Sequence, residues 1–177
     1  MGEIVVVTGP PGCVAPALAQ HLAERLNPSV LVTGDLFAGL WRRGAIPRWL
    51  PEAAPQLAVS QTAAAAAAGT FARTDCTVVF EGVVRPRDLP RFVAAAGRPV
   101  THYLVLLPDV EACVERMRSN AFTSEEEVRA LHTAFAVEGL DRYVVGEDGT
   151  AEDELAARVL AAVAAGDLLV PEQAGAA

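Results

Sequence analysis

The sequence predicts an α/β protein: a five-stranded parallel sheet with helices on both faces. Three observations predict it. Short β-branched runs alternate along the chain with longer stretches of helical spacing. The first run, EIVVVT, has the character of a buried strand. Glycine or acidic residues follow several runs directly, at Gly9, Gly34-Asp35 and Glu81-Gly82, where sheets of this kind bind their ligands. At 177 residues the chain is one domain by length and buries a sizeable core. Residues 1–166 read as that domain and 167–177 as a loose C-terminal tail.

Each element has its own signal. Glu3 to Thr8 is a strand, and Gly9-Pro10-Pro11-Gly12 is a tight loop after it. Pro16 to Leu26 is a helix with Leu18, Leu22 and Leu26 on one face, and proline is tolerated in its first turn. Val30 to Thr33 is a second strand, and Leu36 to Arg43 reads as a helix. The prolines between Gly44 and Pro55 make that segment a loop, and Gln56 to Ala72 is a long alanine-rich helix. Cys76 to Phe80 is the third strand, and Asp88 reads as the N-cap of a helix to Ala96. Val100 to Leu107 is the fourth strand, followed by a helix opened by Pro108 with Val110, Val114 and Met117 inward. Ser124 and Glu127 form a capping box for a helix to about Glu138. Arg142 to Val145 is the fifth strand, and Thr150 and Asp153 signal a last helix carrying Leu155, Val159 and Val163.

Composition excludes several classes. With 52% hydrophobic and 20% charged residues and a mean hydropathy of +0.30, the chain is too apolar for disorder. No apolar run approaches the ~20 residues of a membrane span, and Ile4 to Val7 lacks the basic flank of a signal peptide. A net charge of −8 argues against nucleic acid as a partner. Cys13, Cys76 and Cys113 form neither a zinc pattern nor a disulfide framework, which suits a reducing cytoplasm. All 14 basic residues are arginine, so no mechanism can use a lysine.

The stretch VVVTGPPGCVAPALAQHLAERL resembles the strand–loop–helix of P-loop nucleoside triphosphatases, most closely the small-molecule kinases of the chloramphenicol-phosphotransferase and gluconate-kinase-like group. VLVTGD, VVFEG, YLVLLPDVEACVERMRS and RYVVGEDGTAEDELAARVLAAV resemble later parts of the same group. The resemblance implies a P-loop NTPase-like three-layer sandwich. It implies an acceptor-facing carboxylate at Asp35, an acidic strand end near Glu81, an acceptor pocket after Asp35, and phosphate-clamping lid arginines at Arg116 and Arg118. The loop departs from G-x-x-x-x-G-K-S/T. Gly9 keeps the first position, while Val14, Ala15 and Pro16 stand where the second glycine, the lysine and the hydroxyl residue belong. The branched Val14 obstructs close approach to phosphate, Ala15 removes a cation, and Pro16 removes a magnesium ligand and an N–H donor. Losing two or three charge-assisted contacts of about 1.5–3 kcal/mol each weakens nucleotide binding by roughly a thousandfold.

The candidate site follows. Asp35 and Glu81 are the catalytic candidates: two carboxylates in a partly desolvated cleft, without a lysine, have their pKa values pushed apart and suit acid–base work. The competing reading makes Asp35 a helix cap and pairs Glu81 with Arg85 or Arg87. Trp41, Arg42, Arg43, Arg48 and Trp49 cluster after Asp35. Of these, Trp41, Arg42 and Trp49, with Arg85 and Arg116, are the substrate-binding candidates; the competing reading, slightly the stronger, has the tryptophans cover the core under the proline-rich loop. Gly9, Gly12 and Cys13 form an anion-binding loop at a helix N-terminus or merely connect strand to helix. Cys13 reads as an inert thiol, His21 could face either way on its helix, and His102 and His132 read as structural. No metal site is expected. The expected partner is a small organic molecule, by analogy with antibiotic phosphotransferases a bacterial secondary metabolite, transformed by acid–base chemistry with no cofactor. The alternatives are an ATP- and magnesium-dependent phosphotransferase and a non-catalytic ligand-binding pseudokinase.

Overall fold

The structure, a computed structural model, describes residues 2–48, 50–120, 123–138, 141–146 and 150–171. The strands are β1 (Glu3–Thr8), β2 (Ser29–Thr33), β3 (Thr77–Glu81), β4 (Val100–Leu106) and β5 (Val144–Val145). The helices are α1 (Ala15–Arg25), α2 (Gly34–Ala38), α3 (Ala54–Ala72), α4 (Leu89–Ala95), α5 (Val110–Met117), α6 (Glu125–Val137) and α7 (Glu152–Ala165). The strands form one parallel sheet in the order β2-β3-β1-β4-β5. β1 is central, and Ile4, Val5, Val6 and Val7 are all buried, so both faces of the strand pack against other elements. α1 packs on β1, β2 and β3 with α7 against it, and α3 packs on the same strands with α4 against it. This is the three-layer α/β arrangement the sequence predicts.

The alanine run of α3 does specific packing work. Ala64, Ala65, Ala68, Gly69 and Ala72 are buried, and a Cβ on Gly69 would fall 1.9 Å from the Ala96 carbonyl oxygen at the end of α4. The small residues let the two helices approach almost backbone to backbone.

Several local expectations need correcting. The helix expected over Leu36 to Arg43 is only α2, because Gly39 ends the turn and the segment after it, with Gly44 at φ +74° and Pro47, runs irregularly. α3 starts earlier than Gln56, at Ala54, after a 3-10 turn at Pro51–Ala53. Asp109, not Pro108, opens α5, its carboxylate accepting the N–H groups of Glu111 and Ala112 at 2.9 and 3.3 Å. Cys113 is the fully buried residue of α5, while Val110, Val114 and Met117 are half-buried. Asp88 stands at the N-cap of α4 but makes no cap bond, since its carboxylate takes Arg85 Nε at 3.1 Å and Arg91 Nη2 at 3.4 Å. Ser124 does cap α6, its Oγ accepting the Glu127 N–H at 3.1 Å. α7 is capped by no side chain; Asp153 instead pairs with Arg25 at 2.6 Å. The fifth strand is shorter than expected, because Asp141–Tyr143 form a 3-10 turn.

The largest correction concerns the chain end. Residues 168–170 are not loose but lie antiparallel to the start of β4. The Tyr103 N–H donates to the Leu168 carbonyl at 2.9 Å, and the Val170 N–H to Thr101 at 2.8 Å. Leu168 is buried, and the Arg142 guanidinium and the Tyr143 hydroxyl both donate to the Leu169 carbonyl. β5 covers only Val105 and Leu106 on that edge, so the chain end occupies backbone groups β5 leaves open.

Candidate functional site

The site is built at the carboxyl ends of β2 and β3, beside β1. Thr33 and Glu81 stand opposite each other in the β2–β3 register. Beyond them two glycines meet: a Cβ on Gly34 would come 3.4 Å from the Glu81 carbonyl oxygen and 3.6 Å from the Gly82 Cα. This close approach brings Asp35, on the first turn of α2, onto the same rim as Glu81. The segment after Glu81 is fixed from below. The buried Thr8 hydroxyl accepts the Val84 N–H at 2.9 Å, and the Tyr103 hydroxyl donates to the Val84 carbonyl at 2.6 Å.

The two carboxylates have different surroundings. Glu81 is half-buried and accepts no hydrogen bond or ion pair among the described residues. Burial first, and the negative charge of Asp35 second, push its carboxyl up to about 7. Asp35 is open to solvent and lies 2.8 Å from Arg48 Nη2. The arginines that offered Glu81 a structural partner are engaged elsewhere, Arg85 with Asp88 and Arg87 with Glu138.

The acceptor-side candidates separate. Trp41 Nε1 donates to the Ser60 hydroxyl on α3 at 2.9 Å, which fixes a partly exposed ring beside α2. Arg42 and Arg43 are exposed. Trp49 lies outside the described residues. Arg48 reaches back to Asp35 from the irregular segment that Gln56 pins through Ile46 N–H (3.0 Å) and the Gly44 carbonyl (2.7 Å).

In the glycine loop, a Cβ on Gly9 would fall 2.3 Å from the Leu106 carbonyl oxygen. Gly12, at φ +91°, leaves no room for a Cβ, which would meet the Cys113 carbonyl oxygen at 2.5 Å. α5 therefore sits directly against the loop. Arg116 reaches the loop but donates to a carbonyl, Gly12 O, at 2.9 Å. The Cys13 N–H turns inward to the Pro10 carbonyl at 3.2 Å, and Pro10, Pro11 and Pro16 have no N–H.

Sequence reasoning missed Glu127 as a site residue. It is half-buried at the start of α6; burial raises its carboxyl, the Arg48 guanidinium and the Ser124 backbone N–H oppose this, and Asp35 adds to the rise. The capping-box pattern explained Glu127 completely by itself, so no local signal pointed to a residue some 90 positions before it. Among the described residues no His, Cys, Asp and Glu side chains group to hold a metal ion, and no helix is long and apolar enough to cross a membrane.

Neither a family model nor a curated protein sequence matches the chain. Solved structures do. The tunicamycin resistance protein of Deinococcus radiodurans superposes with a TM-score of 0.67 at 18% identity, over 97% of this chain and 99% of that one. A shikimate kinase from Acinetobacter baumannii, in complex with shikimate, gives 0.66 at 18% over 94% of each chain. A gluconokinase from Sinorhizobium meliloti gives 0.62 at 17%, over 93% of this chain and 92% of that one. The expected resemblance holds at the level of fold.

Proposed function

We propose that this P-loop kinase-like scaffold binds a small organic molecule between α2, the segment after it and the β3 end, and transforms it by acid–base chemistry without ATP. Cyclisation, dehydration and isomerisation are the reaction types that need only such proton transfers. One observation carries the reading: Glu81, raised to about 7 in a half-buried setting, stands beside an Asp35 held by Arg48. Near neutrality Glu81 is then present in both protonation states, as a group that gives and takes a proton requires. Asp35 serves as the base and Glu81 as the acid. The Trp41 ring, fixed by Ser60, supplies a flat apolar wall for the molecule.

The residues of the loop do not fit magnesium ATP. Ala15 brings no cation, Pro16 neither hydroxyl nor N–H, and Cys13 spends its N–H on Pro10. No step of the proposed reaction passes through nucleotide. The bacterial secondary-metabolite character of the ligand rests on analogy with antibiotic phosphotransferases.

The test starts from a panel of small hydroxylated and enolisable molecules, screened for quenching of tryptophan fluorescence. Compounds that bind are assayed for turnover without nucleotide. We expect Asp35→Asn and Glu81→Gln each to lower turnover by about a hundredfold or more while thermal unfolding is preserved. Near-normal turnover in both variants sinks the acid–base reading. Turnover that requires ATP and magnesium establishes a phosphotransferase instead.

A further inference from the structure

Trp41 and Val83 are carried by different segments, yet both are tied to consecutive residues of α3. The Trp41 indole N–H donates to the Ser60 hydroxyl at 2.9 Å, and the Val83 carbonyl accepts from Gln61 Nε2 at 2.9 Å. Leu57 lies three positions before Ser60 and four before Gln61, so it neighbours both on the helix surface. Three apolar residues are thus gathered at one turn of α3, and all remain open to solvent: Trp41 is 39%, Leu57 36% and Val83 41% exposed. The polar groups between them are already committed. Ser60 is buried, and its hydroxyl oxygen holds the indole N–H. Gln61 spends an amide N–H on Val83, and its carbonyl oxygen accepts Arg91 Nη2 at 2.8 Å. Val83 stands two residues beyond Glu81, no more than about 7 Å along the chain, and α2, which bears Asp35, packs on α3. The apolar surface therefore adjoins the carboxylate rim.

We propose that Trp41, Leu57 and Val83 form a specificity-determining surface, and that the substrate has an apolar ring or hydrocarbon body with its polar group only at the end facing Asp35 and Glu81. The inference rests on the ligand lying against this rim, as proposed above, and adds which molecules the site accepts. A hydrocarbon body gains by covering three apolar side chains that water otherwise surrounds. A polyol laid on the same surface gives up water from its hydroxyls and meets a Ser60 and a Gln61 already hydrogen-bonded within the protein. Proton transfer by the two carboxylates needs one oxygen or one acidic C–H at the rim and no polar group beyond it. Phe71 is similarly exposed, at 45%, but lies ten positions past Gln61, about 15 Å along α3, and is outside the surface.

The experiment compares the binding of two ring alcohols, 2-naphthol and myo-inositol, by calorimetry, with NMR of the Leu57 and Val83 methyl groups reporting the place. We expect 2-naphthol to bind at least about tenfold more tightly than myo-inositol and to shift both sets of methyls. Leu57→Asn and Val83→Asn should each weaken 2-naphthol by about tenfold, while Phe71→Asn leaves its affinity unchanged. The methyl shifts are read in the wild-type protein, so they stand whether or not a variant folds. Comparable affinity for the two alcohols, 2-naphthol binding that leaves the methyls unshifted, or equal affinities across the Leu57, Val83 and Phe71 variants each overturn the proposal. The Glu81 carboxyl carbon tells a failed surface from a failed site. Myo-inositol that shifts it and leaves the methyls still overturns the surface alone. Should 2-naphthol shift the methyls and leave Glu81 still, the site reading falls and the proposal with it.

Discussion

Glu81 ends a buried strand, and the same burial that raises its carboxyl links it to stability. The folded state holds the Glu81 proton up to about 7, whereas the unfolded chain releases it near the ordinary carboxylate value of 4.5. Between those values the folded state binds more protons than the unfolded one, so stability is highest below about pH 4.5 and is lost as pH rises through 7. The loss assignable to this residue is no more than about 3 kcal/mol, reduced by its partial exposure. We expect Glu81→Gln to remove this slope. Urea unfolding of both proteins at pH 5 and pH 7.5 measures it, and an unchanged slope in the variant would mean that Glu81 titrates normally. This property was half legible in the sequence. A carboxylate directly after a buried run points to the ligand end of a parallel sheet, but its lack of an arginine partner was not readable, because Arg85 and Arg87 lie close enough in sequence to serve. Their choice of Asp88 and Glu138 is made by the 3-10 turn at Pro86–Asp88 and by the docking of α6.

Among the elements, α3 and the chain end make the sharpest predictions. Gly69→Ala ought to stabilise an isolated helix by about 1 kcal/mol. Here the added methyl meets the Ala96 carbonyl oxygen at 1.9 Å, a backbone atom that cannot swing aside. The clash should win, with a net loss of about 2–4 kcal/mol in denaturant melts. A neutral or stabilising outcome would place α3 farther from α4 than described. Leu168→Ala should cost about 2–4 kcal/mol, since Leu168 is buried in the main core cluster. A genuinely loose tail would give a change within about 0.5 kcal/mol, as for exposed substitutions. The pairing of residues 168–170 with β4 was not legible, because a run as short as LLV after Gly166-Asp167 carries no strand periodicity. Unpaired backbone groups on β4 create the docking place, and they exist only because β5 is two residues long.

For the whole molecule, the fold and the nucleotide question separate. The loop keeps its place between β1 and α1 while α5 packs on Gly12 and Arg116 donates to the loop carbonyl. We expect 1 mM ATP with magnesium to raise the melting temperature by no more than about 2 °C, the shift that about 0.4 kcal/mol produces when ligand concentration equals Kd. A magnesium-dependent shift above about 5 °C would mean that the loop holds nucleotide through contacts other than those of its motif.

The sequence by itself determined the sheet, its parallel order of elements and the rim on which Asp35 and Glu81 stand. Each of these follows from local physics: β-branched runs buried on both faces, helical leucine spacing, and glycines where backbones must meet. It also determined the departures at Val14, Ala15 and Pro16, which are facts of side-chain chemistry. Only the tertiary structure decided which charges meet. Arg48 returns across 13 positions to Asp35, Glu127 on α6 feels the charges of both, and Gly12 lies against Cys113, 101 positions away. Ion pairs and desolvation act through space and depend on distances of a few ångströms. A one-dimensional pattern encodes which elements form, but those distances are set only when the elements pack.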